Sequence, residues 1–247
     1  MENTEKVALI TGSSRGIGKA CALKLAEKGF DIAVNYNSNQ DAADKTAEEI
    51  IAMGRRAVAI KADTSDLKQV RDMFRTAFNE LGSIDVLVNN AGVVNDAYLL
   101  MLNAESLQKS LDINIKGYFN CAQQAALKMM KKHSGRIINI SSVSSVLSLA
   151  GQSVYSATKG AVNSMTAVLA KELAPYGIQV NAVAPGFVET EMIDAVPEEK
   201  MKEYLEQIPM KRLAKPEEIA EAVSLLADGS LSYMTGQVLI LDGGMSL

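Results

Sequence analysis

The chain has 247 residues, of which 48% are apolar and 22% are charged, and its formal net charge is −4. This composition supports a full core and argues against disorder, while the negative charge argues against nucleic-acid binding, which needs clustered positive charge. No apolar run approaches the roughly 18 residues of a membrane span. We therefore expect a cytoplasmic protein, with Cys21 and Cys121 as reduced, buried thiols.

Short apolar runs alternate with helical patterns along the chain. The predicted strands are Val7–Ile10, Ile32–Val34, Ala57–Ile60, Val86–Val88, Arg136–Ile140, Val180–Val183 and Val238–Leu241. The predicted helices are Lys19–Lys28, Asp41–Met53, Asp66–Leu81, Ala104–Lys132, Ser153–Leu173, Glu198–Gln207 and Pro216–Ala227. Continuous apolar strands in βαβ alternation indicate a parallel sheet covered on both faces. The predicted fold is α/β, a single Rossmann-type, doubly wound domain over residues 1–247 with about seven strands.

A glycine-rich turn, Thr11–Gly18, joins the first strand to the first helix. Gly12 permits a tight turn, Gly16 lets the backbone approach a ligand, and Gly18 lets helix and strand pack closely. The helix N-terminus then offers free N–H groups and partial positive charge to a pyrophosphate. The turn lacks the G-x-G-x-x-G spacing, but the same physics predicts a dinucleotide cofactor.

The end of the second strand indicates which dinucleotide is bound. Residues 34–38 contain no acid that could bind a ribose hydroxyl group, and Asp31 lies at the opposite end of that strand. Arg15 in the glycine turn can pair with a phosphate. Both features favour NADP over NAD. Asp63, after the third strand, is either an acceptor for the adenine amino group or a plain helix N-cap.

The same turn also fits a different enzyme class. Gly12–Gly16 satisfies the G-x-S-x-G pattern of the hydrolase elbow, with Ser14 as nucleophile. His133, the only histidine in the chain, would have to be its base. The elbow would follow the first strand, and His133 lies in a polar stretch at a predicted helix end, so the serine hydrolase is the weaker alternative.

Polar or small residues follow five predicted strands. They are Gly12–Gly18, Asp63, Asn89–Gly92, Ser141–Ser142 and Pro185–Gly186. Because the carboxyl ends of parallel strands meet at one edge, these segments predict a continuous polar crevice.

Tyr155 and Lys159 stand four residues apart on a predicted helix, so their side chains share one face. Ser142 precedes Tyr155 by thirteen residues, at a strand end. With the glycine turn, Asn-Asn-Ala-Gly and Pro185-Gly186 in the same order, the chain resembles the short-chain dehydrogenase/reductase family over nearly its whole length. The resemblance implies that Tyr155 protonates a substrate carbonyl oxygen that Ser142 also binds.

Lys159 would grip the cofactor ribose and, with the oxidised nicotinamide, lower the pKa of Tyr155 from about 10 toward working pH. Asn114, in the family's fourth catalytic position, would hold a water that relays protons to Lys159. No metal is implied. The resemblance further implies cofactor contacts from Gly12, Ser14, Arg15, Gly16, Ile17, Gly18, Asn37, Asp63, Thr64, Asn90, Ala91, Gly92, Tyr155, Lys159, Pro185, Gly186, Val188 and Thr190. It implies substrate contacts from Ser142, Ser144, Gln152, Tyr155 and Phe187.

Within the family, the chain most resembles the 3-oxoacyl-[acyl-carrier-protein] reductases of fatty acid synthesis. The glycine turn, residues 181–190 and the Leu-Asp-Gly-Gly segment at 241–244 carry this likeness. It implies NADPH-dependent reduction of a 3-oxoacyl thioester under a lid at about 187–213. Related enoyl reductases separate their tyrosine and lysine by six residues rather than three, so the spacing here argues for carbonyl reduction. An NADP-sensing regulator is disfavoured because it has no need of Ser142, Tyr155 and Lys159.

An acidic carrier protein requires a basic docking patch, for which Lys128, Lys131, Lys132 and Arg136 are candidates. Reductases of this group commonly carry two arginines nearby, where this chain has His133 and Tyr176. Coenzyme A thioesters and free ketones therefore remain alternative substrates. The family implies a homotetramer, in which the helices at 104–132 and 153–173 pair across a dimer and the C-terminal strand joins two dimers.

Overall fold

The computed structural model describes residues 6–191, 193 and 198–247. The first five residues and part of the predicted lid, 192 and 194–197, lie outside the described residues.

All seven predicted strands are confirmed, and their bounds shift by at most two residues. The strands are β1 (Val7–Ile10), β2 (Asp31–Tyr36), β3 (Ala57–Lys61), β4 (Val86–Asn89), β5 (Gly135–Ile140), β6 (Ile178–Pro185) and β7 (Val238–Leu241). The helices are α1 (Gly16–Glu27), α2 (Gln40–Ala52), α3 (Leu67–Leu81), α4 (Ala104–Leu111), α5 (Gly117–Met129), α6 (Ser153–Leu173), α7 (Glu198–Gln207) and α8 (Pro216–Asp228).

The strands form one parallel sheet in the order β3-β2-β1-β4-β5-β6-β7. Helices α1, α2 and α8 pack on one face, and α3, α5 and α6 pack on the other. The predicted Rossmann-type fold is therefore confirmed. The chain changes direction across the sheet between β1 and β4, and the carboxyl ends of all strands lie at one edge, where such folds bind ligands.

Burial on both faces explains why the strands are apolar without alternation. All four residues of β1 have no exposed area. Cys21 and Cys121 are free, buried thiols on the two faces of the sheet. Burial raises the pKa of Cys21 to about 12 and raises that of Cys121 further, so both stay protonated.

The single long helix predicted over Ala104–Lys132 is wrong. After α4, the chain makes a π-helical turn at Asp112–Lys116 before α5 begins, and Met130–Lys132 tightens into a 3₁₀ turn. The wider turn lets the Asn114 side chain point inward, where it is fully buried and bonds the backbone of Val93. That distant partner leaves no trace in helical periodicity.

None of the helices in the described ranges has both the length and the apolar character that crossing a bilayer requires.

Candidate active site

The glycine turn has the backbone geometry that its sequence predicts. Gly12 has φ +62° and Gly16 has φ +54°, both in the left-handed region that favours glycine. A Cβ at Gly18 would lie 2.3 Å from the Gly12 carbonyl oxygen, so no larger residue fits there. The turn therefore brings bare backbone to the start of α1.

Two asparagines, neither proposed for this role from the sequence, lock the turn in place. Asn35 on β2 accepts the Gly12 N–H at 3.1 Å and donates to the carbonyl of Ala62 at 3.1 Å. Asn90 donates to the carbonyls of Thr11 and Gly12 at 2.9 Å and 3.0 Å. Asn35 had no motif to mark it, because its role depends on three strand ends that meet only in the folded sheet.

The N-terminus of α1 fits a pyrophosphate. Its N-cap residue, Arg15, makes no side-chain capping bond, and the first turn contains no acidic residue. The N–H groups of that turn and the positive end of the helix dipole thus remain available to an anion.

The residues proposed to select NADP lie at the expected edge of the sheet. Arg15 is exposed and forms an ion pair with Glu191, which follows β6 in the chain. Asn37 is exposed just beyond β2. Asp31, at the other end of that strand, is 0% exposed and accepts hydrogen bonds from Arg55 and Arg56, so it is a structural residue.

The structure excludes the N-cap alternative for Asp63. Asp66 caps α3, and it accepts N–H bonds from Lys68 and Gln69. Asp63 instead accepts from the N–H and the hydroxyl group of Ser65, at 2.9 Å and 2.7 Å. Thr64 is buried beside it. Both residues follow β3 at the edge predicted to bind the cofactor.

Ser142 follows β5 and begins a 3₁₀ turn. Its Oγ accepts the N–H of Ser144 at 3.2 Å and lies 2.9 Å from the Ser144 hydroxyl oxygen. Asn163 on α6, which sequence reasoning missed, accepts from Ser141 Oγ at 2.6 Å and donates to Ser145 Oγ at 2.8 Å. These bonds fix the loop that presents Ser142.

Tyr155 and Lys159 lie in the first two turns of α6, which places both beside the end of β5. Lys159 is 3% exposed, and its Nζ donates to the Ile140 carbonyl at 2.7 Å and to Tyr118 Oη at 3.1 Å. Its Nζ is 5.7 Å from the centre of the Tyr155 ring. The ammonium group therefore lies near Tyr155 but bonds two other oxygens.

The protein's own groups shift the pKa values of Tyr155 and Lys159 in opposite directions. Burial lowers the pKa of Lys159 to about 7. Burial raises the pKa of Tyr155 to about 12; a hydrogen bond with Ser142 opposes this rise, and the charge of Asp96 adds to it. The protein groups by themselves do not lower the Tyr155 pKa, because desolvation outweighs the stabilisation that they supply to the phenolate. The lowering expected from the oxidised nicotinamide stays a prediction.

Asn114 uses its side chain to hold the loop after β4. Its Oδ1 accepts the Val93 N–H at 2.9 Å, and its Nδ2 donates to the Val93 carbonyl at 2.9 Å and to Thr158 Oγ1 at 3.2 Å. Both amide protons are thus used, and only the second lone pair of Oδ1 remains for a water.

The predicted substrate residues lie on two sides of the site. Gln152 donates to Asp96 at 2.9 Å, and Phe187 stacks on Tyr204 of α7 with ring centres 4.4 Å apart. Ser144 is buried against Ser142. A cavity of about 540 Å³ is lined by residues 144–150 together with Ser153 and Ser156.

The segment after β6 returns toward the glycine turn. Gly186 donates its N–H to the Leu241 carbonyl at 2.8 Å, and Val188 pairs with Ala214. The side chain of Thr190 would lie 3.5 Å from a Cβ at Gly16. Pro185, at the end of β6, and the residues that follow it are thus near the start of α1.

The serine hydrolase alternative is wrong. Ser14 follows the carboxyl end of β1, whereas His133 precedes β5, at the opposite edge of the parallel sheet. His133 ends the preceding helical segment with φ 49°. Within the described part of the chain, no group of three or more His, Cys, Asp or Glu side chains is placed to hold a metal ion.

The sequence of this chain is similar to known reductases over nearly its whole length. A family model described as enoyl-(acyl carrier protein) reductase matches residues 12–246. A 3-oxoacyl-[acyl-carrier-protein] reductase FabG from Staphylococcus aureus is 44% identical over 240 residues, covering 97% of this chain and 98% of that protein. The chain belongs to the short-chain dehydrogenase/reductase family.

Solved structures of other family members match this oxidoreductase closely. A gluconate 5-dehydrogenase from Burkholderia cenocepacia, in complex with NADP and tartrate, has a TM-score of 0.93 at 36% identity, covering 98% of this chain and 95% of that chain. An acetoin dehydrogenase from Enterobacter cloacae has a TM-score of 0.88 at 42% identity, with 97% and 95% covered. The fold is therefore shared by relatives that differ in substrate.

Proposed function

We propose that this oxidoreductase reduces a 3-oxoacyl thioester to the 3-hydroxyacyl form with NADPH. The observation that carries the proposal is the placement of Ser142, Tyr155 and Lys159 at the same sheet edge as the uncapped N-terminus of α1. A hydroxyl group, a phenol and an ammonium group thus share a sheet edge with backbone N–H groups that would bind a dinucleotide. The likeness to 3-oxoacyl-[acyl-carrier-protein] reductase supports the choice of substrate.

The chain supplies the proton and the orientation for this reaction. NADPH, when bound, supplies the hydride. Tyr155 donates its proton to the carbonyl oxygen, and the Ser142 hydroxyl group donates a hydrogen bond to the same oxygen. Charged Lys159 stabilises the Tyr155 phenolate left behind and binds the ribose hydroxyl groups. Lys159 then gives up a proton to restore the Tyr155 hydroxyl group, and Asn114 orients a water that returns a proton to Lys159.

The remaining predicted contacts would place the cofactor along the carboxyl edge of the sheet, between the ends of β3 and β6. The N–H groups of residues 12–18 would bind the pyrophosphate, and Asp63 and Thr64 the adenine end. Arg15 would leave Glu191 to pair with the 2′-phosphate, with Asn37 beside it. The segment at 185–190 would close over the nicotinamide, and residues 187–213 would form the lid over the substrate.

Two features favour a carbonyl substrate over an enoyl substrate, although the family model carries the enoyl reductase description. Tyr155 and Lys159 are separated by three residues rather than six. In the structure both side chains lie beside the end of β5, where Ser142 follows. That arrangement suits protonation of a carbonyl oxygen.

A free ketone is the second candidate substrate. Tyr176 and His133 occupy positions where carrier-dependent relatives commonly place arginines, and a Cβ at Gly177 would lie 2.2 Å from the His133 carbonyl oxygen, so the two positions adjoin. A surface with fewer positive charges suits an acidic carrier less well. The structural likeness to an acetoin dehydrogenase points the same way.

A substrate panel with both cofactors tests these alternatives. We expect NADPH oxidation with acetoacetyl-carrier protein and acetoacetyl-coenzyme A, and little with acetoin or gluconate-type ketones. Preference for NADH would refute the role of Arg15, and turnover of free ketones alone would refute the thioester proposal.

The phenol has its own test. Tyr155→Phe removes one hydroxyl group, so turnover should fall by at least about 10³-fold while NADPH binding, followed by its fluorescence, persists. A variant that retained most of its activity would refute proton donation by Tyr155. Tyr233→Phe, which changes a fully exposed phenol, is the control.

A further inference from the structure

One buried phenol has no part in the mechanism above. Tyr118 is in the first turn of α5, directly after the π-helical turn, and is 2% exposed. Its hydroxyl group donates to the Ile140 carbonyl at 2.8 Å. Lys159 donates to the same carbonyl and to Tyr118 Oη, at 2.7 Å and 3.1 Å. Tyr118 Oη, the Ile140 carbonyl oxygen and Lys159 Nζ thus form a triangle of hydrogen bonds, and this triangle includes the lysine that the reaction requires.

The Tyr118 ring adds to this contact. Lys159 Nζ lies 5.0 Å from the centre of the Tyr118 ring, closer than to the centre of the Tyr155 ring at 5.7 Å. A cation at this distance is attracted by the ring face. Both the oxygen and the ring of Tyr118 therefore favour the charged form of the lysine.

A chain of buried polar contacts holds Tyr118 in place. Asn89 donates to the Tyr118 carbonyl at 3.3 Å and to Asn139 at 3.0 Å, and Asn139 donates to Thr166 at 2.9 Å. The preceding residue, Gly117, packs so closely that a Cβ there would lie 2.7 Å from Thr64 Oγ1. These contacts fix the backbone that carries Tyr118, and the hydrogen bonds of its hydroxyl group with Ile140 and Lys159 hold the phenol itself.

Two neutral oxygens, those of Tyr118 and Ile140, stabilise the charged form of Lys159. Among the described residues, no carboxylate pairs with it. The titratable groups that face it are Tyr118 from α5 and Tyr155 from its own helix. Cys121 acts on Tyr118, and Asp96 acts on Tyr155 from the loop after β4. Loss of either neutral oxygen therefore weakens the charged form.

We propose that Tyr118 is a positioning residue for the reaction, which holds Lys159 as an ammonium ion beside the end of β5. The proposal rests on the carbonyl reduction proposed above. Tyr118 does not donate a proton to substrate, because its hydroxyl hydrogen already bonds Ile140. Its effect reaches the substrate through the charge of Lys159.

Tyr118→Phe tests the proposal, because it removes only the hydroxyl oxygen. Losing one hydrogen bond to a charged group should lower the pKa of Lys159 by about one unit. The alkaline fall of kcat/KM for acetoacetyl-coenzyme A should then move about one pH unit lower. Activity should be about tenfold lower than wild type at pH 8 and within about twofold at pH 5.5. An equal loss at every pH indicates a merely structural role and would overturn the proposal.

A titration without turnover separates this proposal from the proposed function. The NMR signals of ¹³C-labelled lysine report the titration of Lys159 in the cofactor-free protein, whichever substrate the enzyme uses. The Lys159 inflection should move to lower pH in Tyr118→Phe and stay unchanged in Tyr233→Phe, whose phenol is exposed. An unchanged inflection in Tyr118→Phe overturns the proposal even if the reductase activity is established.

A second variant covers the case in which Tyr118→Phe fails to fold. Substituting 3-fluorotyrosine at position 118 keeps the ring and hydroxyl group but makes the oxygen a weaker acceptor. The Lys159 inflection should move in the same direction by a smaller amount. A shift to higher pH would contradict the proposed role.

Discussion

At the residue scale, the proposed reaction needs Lys159 to be charged, but burying that charge destabilises the folded protein. An ammonium group that is 3% exposed has lost most of its hydration, and burial lowers its pKa to about 7. Unfolded lysine holds its proton up to about pH 10.4. Between about pH 7 and 10 the unfolded state therefore binds more protons, and the contribution of Lys159 to folding improves as pH rises.

Lys159→Met should reveal that conflict. The variant lacks the buried charge, so its Tm should exceed that of wild type by on the order of 5 °C at or below pH 7. The difference should narrow as pH rises from about 7 to 10, because wild-type Lys159 becomes neutral. Differential scanning calorimetry of both proteins measures it. Lys131→Met, at an exposed lysine, is the control, and a Tm difference independent of pH would contradict the argument.

The ion pair between Arg15 and Glu191 belongs to the element scale, because it joins the glycine turn to the segment after β6. If Arg15 binds the 2′-phosphate, Glu191 competes for it. Arg15→Gln should raise the KM for NADPH by about tenfold or more and leave the KM for NADH unchanged.

Glu191→Gln should act in the other direction, lowering the KM for NADPH by less than about fivefold, since exposed ion pairs contribute little. Steady-state kinetics with both cofactors measures each change. Glu189→Gln, at an exposed acid two residues earlier, is the control for lost negative charge. Equal effects on NADPH and NADH would mean that Arg15 does not contact the 2′-phosphate.

At the scale of helices and strands, the sequence predicts where each one lies better than it predicts the contacts between them. The strand residues are mostly apolar because helices cover both faces of the sheet, so β1–β7 could be located from their residues alone. The π-helical turn at Asp112–Lys116 could not, because the two hydrogen bonds between Asn114 and Val93 join residues that lie 21 positions apart in the chain. A helical pattern in the sequence indicates which face of a helix is apolar, but it does not indicate which distant backbone group a polar side chain on that helix contacts.

The same limit applies to the site. Tyr155, Lys159 and the glycine turn carry spacing that chemistry explains, so sequence reasoning could propose them. Asn35, Asn163 and Tyr118 act on groups that only the folded sheet brings near, and single residues of these types are common in cores. The burial that raises the pKa of Tyr155 could not be predicted for a related reason, since burial depends on the whole fold.

At the scale of the whole molecule, apolar surface remains on the helices that carry the catalytic groups. Phe119 on α5 is 48% exposed and Val168 on α6 is 54% exposed. Ile240 on the edge strand β7 is 43% exposed. We propose that α5 and α6 pair with a second copy and that β7 joins two such dimers, because exposed apolar patches rimmed by polar residues commonly mark interfaces.

Charged substitutions on α5 and α6, or on β7, should show which proposed contact forms the dimer and which joins two dimers. The pair Phe119→Glu and Val168→Glu should prevent the helix pairing, and Ile240→Glu should leave dimers of the 26.4 kDa chain, as measured by light scattering after gel filtration. Ile51→Glu, at a residue 55% exposed on α2, should leave the tetramer intact. Since α5 and α6 carry Tyr118, Tyr155 and Lys159, losing the helix pairing should also lower kcat, whereas the Ile51 control should not. Mass and activity unchanged by the helix substitutions would place the interface elsewhere.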